Sequence, residues 1–333
     1  MYKGGIMAPQ LGGSVEIQNF AFTDSILKFL IMMLSPLTRK AWTLVACLTL
    51  RYPGVLAQLD KPIMSPAVPF DQTDPILYEH LNPTPSTYDQ WEYGWLPLRC
   101  KAVAENEGLS PYDIDVFNVH YEDCDEAWVL CRHHDAQVTL EQLIDNFGRL
   151  PVRLRNIVRH QFAIPSDNLV AWTYSDLGDI VYSGDIGQYI RFWIHEAGHA
   201  VDRNINPSEG DYSSSDAWIT EYNKDNYIAD AYAQNNMAEN FAQEVIVALF
   251  DKVVPGGIGS LVPNWGDIFH QYATIQAVMG DMLIPGGTCN RHFPDDSIVC
   301  MGPDAGCESK RDDEHSNATE TEDSEEPIVC TLG

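Results

Sequence analysis

The pentapeptide His-Glu-Ala-Gly-His, residues 195–199, holds the side chains best suited to chemistry in this chain. On an α-helix, positions i and i+4 lie on one face about one turn apart. The imidazoles of His195 and His199 can therefore reach one zinc ion with bonds of about 2.0–2.1 Å. Glu196 then lies beside the ion and can take a proton from a metal-bound water. The alternative for the motif by itself is a buried helix with two solvated histidines and a glutamate.

A third metal ligand must come from another element, because neither of two familiar patterns is complete. Asp202 and Ile205 stand where the metzincin pattern needs glycine and histidine, and no GTxDxxY stretch is present. Glu239 lies near the start of a later apolar helix, where zinc is a good reason for burying a carboxylate. Its alternative role is favourable interaction with the helix dipole. Asp230 is the second candidate for the third ligand.

Two further residues are spaced to assist such a site. Tyr232 lies seven residues before Glu239, about two helical turns, where its phenol could donate to the oxyanion of a tetrahedral intermediate. Ordinary core packing is its alternative role. Asp202, one turn after His199, could accept the other ring N–H of a ligand histidine, cap the helix end or face solvent.

The elements that must position these residues follow from periodicity and from turn residues. Helical spacing predicts helices over 187–203 and 236–251, and further helices over 139–147, 151–160 and 265–282, with one starting near Asp216. Alternating or continuous apolar residues predict strands over 113–121, 126–133, 168–175 and 179–183. The expected fold is α+β, a zincin-like domain with a small twisted sheet above the active-site helix.

The composition of the chain changes along its length. Residues 58–98 are rich in proline, which removes backbone donors, and they read as an extended segment on the surface. Residues 99–303 form the expected catalytic domain. Residues 304–333 are acidic and poor in apolar side chains, which predicts a disordered tail. Asn317, in this tail, begins a glycosylation sequence.

Residues 1–57 read as a leader followed by a secretory signal peptide, with translation starting at Met32 or Met33. A basic pair precedes the apolar run 41–50, and Ala57 ends a cleavage site. The apolar runs are shorter than the roughly 20 residues needed to span a bilayer, so no stable membrane insertion is expected. The sequence therefore predicts a protein secreted to the cell wall or the medium.

The formal net charge is -28 over 333 residues. Such a charge repels phosphate backbones, so nucleic acid is excluded as a partner. A peptide or protein substrate remains the expected partner, and no oligomeric state is predicted.

Eight cysteines fit an oxidising compartment, and one of them lies inside the signal segment. None has CxxC spacing, so a cysteine zinc site is not expected. Cys124 with Cys131, and Cys289 with Cys300, would each close a short loop and are the candidate disulfides. Connectivity does not follow from sequence alone. Removal of the signal segment would leave seven cysteines, so one thiol is expected to be free or paired between chains.

Two resemblances run through these residues. The segments HEAGHAVD and DAYAQNNMAENFAQ resemble the catalytic core of lethal-factor-type gluzincins, in which a tyrosine precedes the glutamate ligand by the same seven residues. From Arg99 to about residue 303 the chain resembles fungal secreted conidiation-specific proteins of the con-thirteen type. The segments that carry this second likeness are DCDEAWVLCRHHDA, FGRLPVRLR, GGTCN and VCMGPD.

The gluzincin resemblance implies zinc ligands at His195, His199 and Glu239, a base at Glu196 and an oxyanion donor at Tyr232. The expected activity is that of a secreted zinc metalloendopeptidase. The alternative is a spore-associated structural protein that keeps a non-catalytic zinc site, which would need a fourth protein ligand. The conidiation group is named for its expression and implies no substrate.

Overall fold

A computed structural model describes residues 58–307 and 328–331 of the chain. The predicted signal segment 1–57 and the glycosylation acceptor Asn317 lie outside the described residues. No helix in the described part is both long and apolar enough to cross a membrane.

Within the described residues the largest element is a seven-stranded mixed sheet, with the order β1-β3-β4-β5-β7-β6-β9. The pairs β4–β5 and β5–β7 are parallel, and the others are antiparallel. A second sheet pairs β2 with β8. The strands are β1 (Ser86–Gln90), β2 (Trp95–Pro97), β3 (Ile114–Tyr121), β4 (Trp128–His133), β5 (His160–Ile164), β6 (Val170–Tyr174), β7 (Asp179–Ser183), β8 (Ile298–Cys300) and β9 (Ile328–Thr331).

Eight α-helices complete the α+β fold of the described chain. They are α1 (Phe70–His80), α2 (Leu98–Asn106), α3 (Leu140–Arg149), α4 (Val152–Arg155), α5 (Arg191–Asn204), α6 (Asp216–Tyr222), α7 (Met237–Val253) and α8 (Phe269–Met279). Helices α5 and α7 pack on each other, and α5 also packs on β6. The predicted helices at 187–203 and 236–251 correspond to these two central helices.

Side-chain alternation along β4 separates two hydrophobic cores. Trp128 and Leu130 point into the larger core, which the apolar faces of α3, α5 and α7 complete. Val129 and Cys131 point to the opposite face, which α2 covers. Successive side chains of a strand point to opposite faces, so one strand supplies both cores.

The two predicted disulfide pairings are wrong, although all four of those cysteines are bonded. The observed bonds are Cys100–Cys131, Cys124–Cys289 and Cys300–Cys307. Cys131 points to the face of β4 that α2 covers, where Cys100 meets it. Cys124 lies in the turn after β3, where the segment carrying Cys289 crosses. Short sequence separation could not reveal either encounter.

The segment 58–98 is not extended throughout, which corrects the prediction from its prolines. Helix α1 accommodates Pro75, and it buries Phe70 and Leu77 in the larger core. Burial of these apolar side chains outweighs the helix disfavour of one proline. Residues 86–90 of the same segment form an edge strand of the main sheet.

Three more predictions need correction. The helix predicted over 151–160 stops at Arg155, and the fully buried strand β5 begins at His160, the last residue of the predicted helix. The sheet has seven strands and is not small. The tail 304–333 is not wholly disordered, since Cys307 is bonded to Cys300 and Ile328–Thr331 pairs with β6.

Candidate metal centre

Helix α5 carries the His-Glu-Ala-Gly-His motif through the middle of the larger core. Its first backbone amide, that of Arg191, donates to the Asp74 carboxylate of α1 at 2.9 Å, which satisfies one unpaired donor at the helix start. His195, Glu196 and His199 are almost completely buried, at 1%, 0% and 0% exposure. The motif therefore does not present solvated histidines, which was the alternative raised from the sequence.

Helix α7 begins where it must to present Glu239. The side chain of Asn236 caps the helix by accepting the Glu239 amide at 2.9 Å, which places Glu239 in the first turn. Gly198 lets α7 approach α5 closely, since a Cβ there would lie 3.2 Å from the Ala242 Cα. A larger residue at 198 would push the two helices apart.

Three donor atoms from these two helices converge. The Nε2 atoms of His195 and His199 are 3.0 Å apart, and the Glu239 Oε2 lies 3.0 Å and 3.4 Å from them. Ligand bonds of about 2.0–2.1 Å at tetrahedral angles put neighbouring donors about 3.3 Å apart. Among the described residues, this is the cluster of His, Cys, Asp and Glu whose donor atoms could hold one ion.

The chemistry of the donors also fits a cation. Two neutral imidazoles whose Nε2 lone pairs face each other at 3.0 Å repel unless a proton or a metal lies between them. Burial lowers the pKa of His199, although Glu239 acts against it, and this favours the neutral ring, whose lone pair can bind a metal. Burial alone would raise the pKa of Glu239, but His199 and His195 outweigh it and lower that pKa to about 2.

A relay of hydrogen bonds fixes the tautomer of His195. Its Nδ1 donates to the Gln243 Oε1 at 2.9 Å, and the Gln243 Nε2 donates to the Asp230 Oδ2 at 2.9 Å. Because Nδ1 carries the proton, Nε2 is left unprotonated for a metal. Asp230, the second candidate for the third ligand, is therefore linked to His195 through the side chain of Gln243.

Glu196 occupies a different environment from Glu239. Its Oε2 accepts a hydrogen bond from the Thr173 hydroxyl of β6 at 2.6 Å, while its Oε1 is buried without a hydrogen-bond partner in the described chain. Burial raises the pKa of Glu196 to about 8, although His195 and the Thr173 hydrogen bond act against the rise. One oxygen is therefore held in place, and the raised pKa means that the carboxyl keeps its proton at pH 7 unless a nearby cation favours the ionised form.

Of the two residues expected to assist the site, Tyr232 lies beside the donor cluster and Asp202 has a different hydrogen-bond partner. The Tyr232 ring packs edge-on against His195, with ring centroids 5.6 Å apart, so it borders the donor cluster. Asp202 is not an acceptor for His199. Its Oδ1 accepts the Ser213 backbone amide at 2.6 Å, and burial raises its pKa to about 7.

Sequence reasoning missed Thr173, Gly198 and Gln243 as contributors to the site. Gln243 could have been found, because it lies one helical turn after Glu239 and therefore on the same face. The role of Gly198 carries a weaker signal, since a glycine inside a helix often marks close packing. Thr173 gives no local signal, because its contact depends on how β6 packs over α5.

Comparison with known proteins places this chain in a family. The family model for conidiation-specific protein Con-13 matches residues 72–330. The chain belongs to the Con-13 family. A curated relative in that family, conidiation-specific protein 13 of Neurospora crassa, is 30% identical over 234 residues, which cover 68% of this chain and 67% of the relative.

The family match extends well beyond the segment in which the resemblance was read from sequence. It begins inside α1 and ends inside β9, so it includes the elements that carry every donor of the site. The conidiation-related description agrees with the resemblance, and it states no reaction. No solved structure matches the chain.

Proposed function

We propose that this chain is a zinc-dependent peptidase in which His195, His199 and Glu239 hold the metal. The convergence of these three buried donors, from two helices packed at Gly198, is the observation that carries the proposal. Three protein ligands leave one coordination position open, as in catalytic rather than structural zinc sites. We place the fold with the zincins on the strength of the motif-bearing helix packed against the sheet.

Each residue has a defined task in this mechanism. Bound zinc would act as a Lewis acid and lower the pKa of its water to about 7. With zinc bound, Glu196 would accept the water proton on its Oε1 and pass it to the leaving amine, while the Thr173 hydroxyl holds Oε2 in place. Tyr232, whose ring packs against His195, would donate a hydrogen bond from its phenol to the oxyanion that forms during hydrolysis.

Secretion is part of the proposal. The three disulfides require an oxidising compartment to form and persist. A signal peptide ending at Ala57 would deliver the chain to that compartment. We therefore expect the mature protein to begin at Gln58.

Peptide hydrolysis before and after metal removal tests the proposal. The full chain is incubated with casein and with a quenched fluorescent peptide library, then dialysed against a chelator and reloaded with zinc. We expect cleavage that disappears with the chelator and returns with zinc. Cleavage that persists in Glu196→Gln would contradict the assignment, because that variant keeps the donors and removes the base.

A second candidate function is a structural zinc site in a spore-associated protein. The near-complete burial of all three donors favours it, since structural sites are closed to solvent. It predicts that zinc removal lowers the melting temperature without any hydrolysis, and that Glu196→Gln changes nothing. A buried base beside the donors has no use in such a site, which is why we favour catalysis.

A further inference from the structure

The loop 223–236 joins α6 to α7 and carries two residues that border the candidate metal centre. Asp230 accepts a hydrogen bond from the Gln243 amide behind His195, and the ring of Tyr232 packs against the same imidazole. No part of this loop belongs to a helix or a strand. Connections of this length without secondary structure are uncommon in compact domains, and their side chains are held only as firmly as the contacts that other segments make with them.

Residues 58–68, which we call the strap, run along this loop and pair with its middle. The Ile228 amide donates to the Pro62 carbonyl at 3.1 Å, and the Met64 amide donates to the Ile228 carbonyl at 2.9 Å. Met64 is itself 1% exposed and lies in the larger core. The strap is therefore fixed to the body of the protein at the point where it meets the loop.

Lys61 of the strap contacts both ends of the loop. Its ammonium donates to the Asp225 carbonyl at 2.7 Å and to the Tyr222 carbonyl, and it lies 3.6 Å from the centroid of the Tyr222 ring. These carbonyls lie at the end of α6 and just after it, where a cation is favoured. At the other end of the loop, the Gln234 side-chain amide donates to the Lys61 carbonyl at 2.9 Å, and the Leu59 amide donates to the Gln234 carbonyl at 2.8 Å.

A turn inside the loop holds Tyr232. The Oδ1 atom of Asp230 accepts the Ala233 amide at 2.8 Å, so Tyr232 lies within the turn that this bond closes. Ala233 is completely buried in a small apolar cluster, against which Leu59 and Ile63 of the strap pack. Displacement of the strap would therefore remove support from the turn as well as from the ends of the loop.

We propose that the strap positions Asp230 and Tyr232 at the candidate metal centre, and that Lys61 is the positioning residue that closes the strap onto both ends of the loop. It would act on the metal ligand His195 through Asp230 and Gln243. It would act on the oxyanion that forms during hydrolysis through Tyr232. The role of Tyr232 rests on the proposed function, whereas the hold of the strap on the loop does not.

Three substitutions in the full chain test the proposal. Lys61→Met keeps an apolar stem and removes the ammonium, and Lys61→Arg restores a cation that can donate to the same carbonyls. The matched control, Lys252→Met, removes an exposed ammonium from the last turn of α7. Should Lys61→Met fail to fold, Gln234→Met takes its place, because it removes the side-chain bonds at the other end of the loop.

Hydrogen exchange of the chelated protein measures the hold of the strap without any metal. We expect the amides of residues 226–235 to exchange at least about tenfold faster in Lys61→Met than in the wild type, with the amides of α3 unchanged. Lys61→Arg and Lys252→Met should exchange like the wild type. An unchanged rate in the loop, or equal acceleration in the loop and in α3, would overturn the proposal.

Zinc affinity, measured by competition with a chromophoric chelator, tests whether the strap acts on the metal centre through the relay. Lys61→Met should weaken zinc binding about fivefold, which is less than the roughly 10–100-fold that loss of an outer partner itself costs. In a Gln243→Leu background, which already breaks the relay, the same substitution should change zinc affinity by less than about twofold. Equal loss in both backgrounds, or no loss in either, would overturn the proposal.

Peptide hydrolysis at saturating zinc separates this inference from the proposed function. Lys61→Met should lower kcat about tenfold with little change in KM, and should have no further effect in Tyr232→Phe, because an oxyanion donor acts on the transition state. Faster loop exchange and weaker zinc binding in Lys61→Met, without hydrolysis by any of the proteins, would keep the strap and reject the peptidase. Hydrolysis that Lys61→Met leaves unchanged, together with unchanged exchange, would keep the peptidase and reject the strap.

Discussion

The two glutamates of the candidate centre are both buried, yet their pKa values shift in opposite directions. Glu239 lies between two imidazoles, which lower its pKa to about 2 against the effect of burial. Glu196 has one uncharged hydrogen-bond partner, the Thr173 hydroxyl, and burial raises its pKa to about 8. Under the proposed function, this separation of pKa values makes Glu239 the permanent anion and Glu196 the proton carrier.

A third glutamate shows that helix burial is not what keeps Glu239 ionised. Glu244 lies on the same helix, is completely buried, and has no hydrogen-bond partner among the described residues. Burial raises its pKa well above the ordinary value. The difference between Glu239 and Glu244 is therefore the pair of histidines. A divalent ion bound by the two histidines and Glu239 would also favour the ionised form of Glu196. It would thus lower the pKa of Glu196 from about 8.

The largest expected effect comes from exchanging each glutamate for glutamine. Glu239→Gln should lower zinc affinity by more than about 100-fold, since even outer partners of a ligand are worth about 10–100-fold. Glu196→Gln should keep zinc and lose roughly 10²–10⁴-fold in hydrolysis. Titration calorimetry with zinc and a fluorescent peptide assay measure the two effects. Equal loss of zinc in both variants would erase the distinction between anion and base.

The hydrogen-bond relay behind His195 gives the next largest effect. Gln243→Leu removes the acceptor for Nδ1 and should weaken zinc binding by about 10–100-fold. The control is Gln276→Leu, whose wild-type amide donates to the Asp251 Oδ2 at 2.8 Å on another part of α7. Competition with a chromophoric chelator measures both. A similar loss in the control would mean that the effect comes from general destabilisation.

The next prediction concerns Thr173, whose hydroxyl donates a hydrogen bond to the proposed base Glu196. Thr173→Val keeps the side-chain shape and removes the hydrogen bond to Glu196, so the pKa of Glu196 should rise further. Less of the base would then be ionised at pH 7, and kcat/KM should fall about tenfold, in proportion to a hydrogen bond worth about 1.5 kcal/mol. Zinc affinity should not change, and Thr173→Ser should restore the rate. A rate unaffected by valine would show that Thr173 does not position Glu196.

Asp202 gives the smallest effect, which concerns stability. Burial raises its pKa from 3.8 to about 7, so between these values the folded chain keeps a proton that the unfolded chain has lost. Stability must therefore fall as pH rises through this window. Asp202→Asn should remove part of that fall. The Tm of the variant relative to the wild type should therefore be several degrees higher at pH 8 than at pH 4, since 1 kcal/mol of unfolding free energy shifts Tm by about 2–4 °C in a chain of this size.

Thermal unfolding at several pH values, followed by circular dichroism, measures this difference. The control is Asp185→Asn, which removes an exposed carboxylate. A profile of Asp202→Asn that is parallel to that of the wild type would show that Asp202 does not titrate in this window.

Local sequence patterns were sufficient to predict the three donor residues of the candidate metal centre. His195 and His199 share a helix face by spacing, and Glu239 follows from a buried carboxylate at the start of an apolar helix. The contact of Thr173 with Glu196 and the disulfide of Cys131 with Cys100 could not be predicted, because both depend on which face of a strand packs against which helix. Strand β5 was not predicted for a related reason, since it is buried on both faces and shows no alternation.

The most direct test of the central claim is an anomalous diffraction map from crystals grown with zinc. We expect one strong peak per chain, bonded to the Nε2 atoms of His195 and His199 and to the Glu239 carboxylate at about 2.0–2.2 Å, with a fourth position not taken by the protein. A map without a peak at these three atoms, or with a fourth protein ligand closing the site, would contradict it.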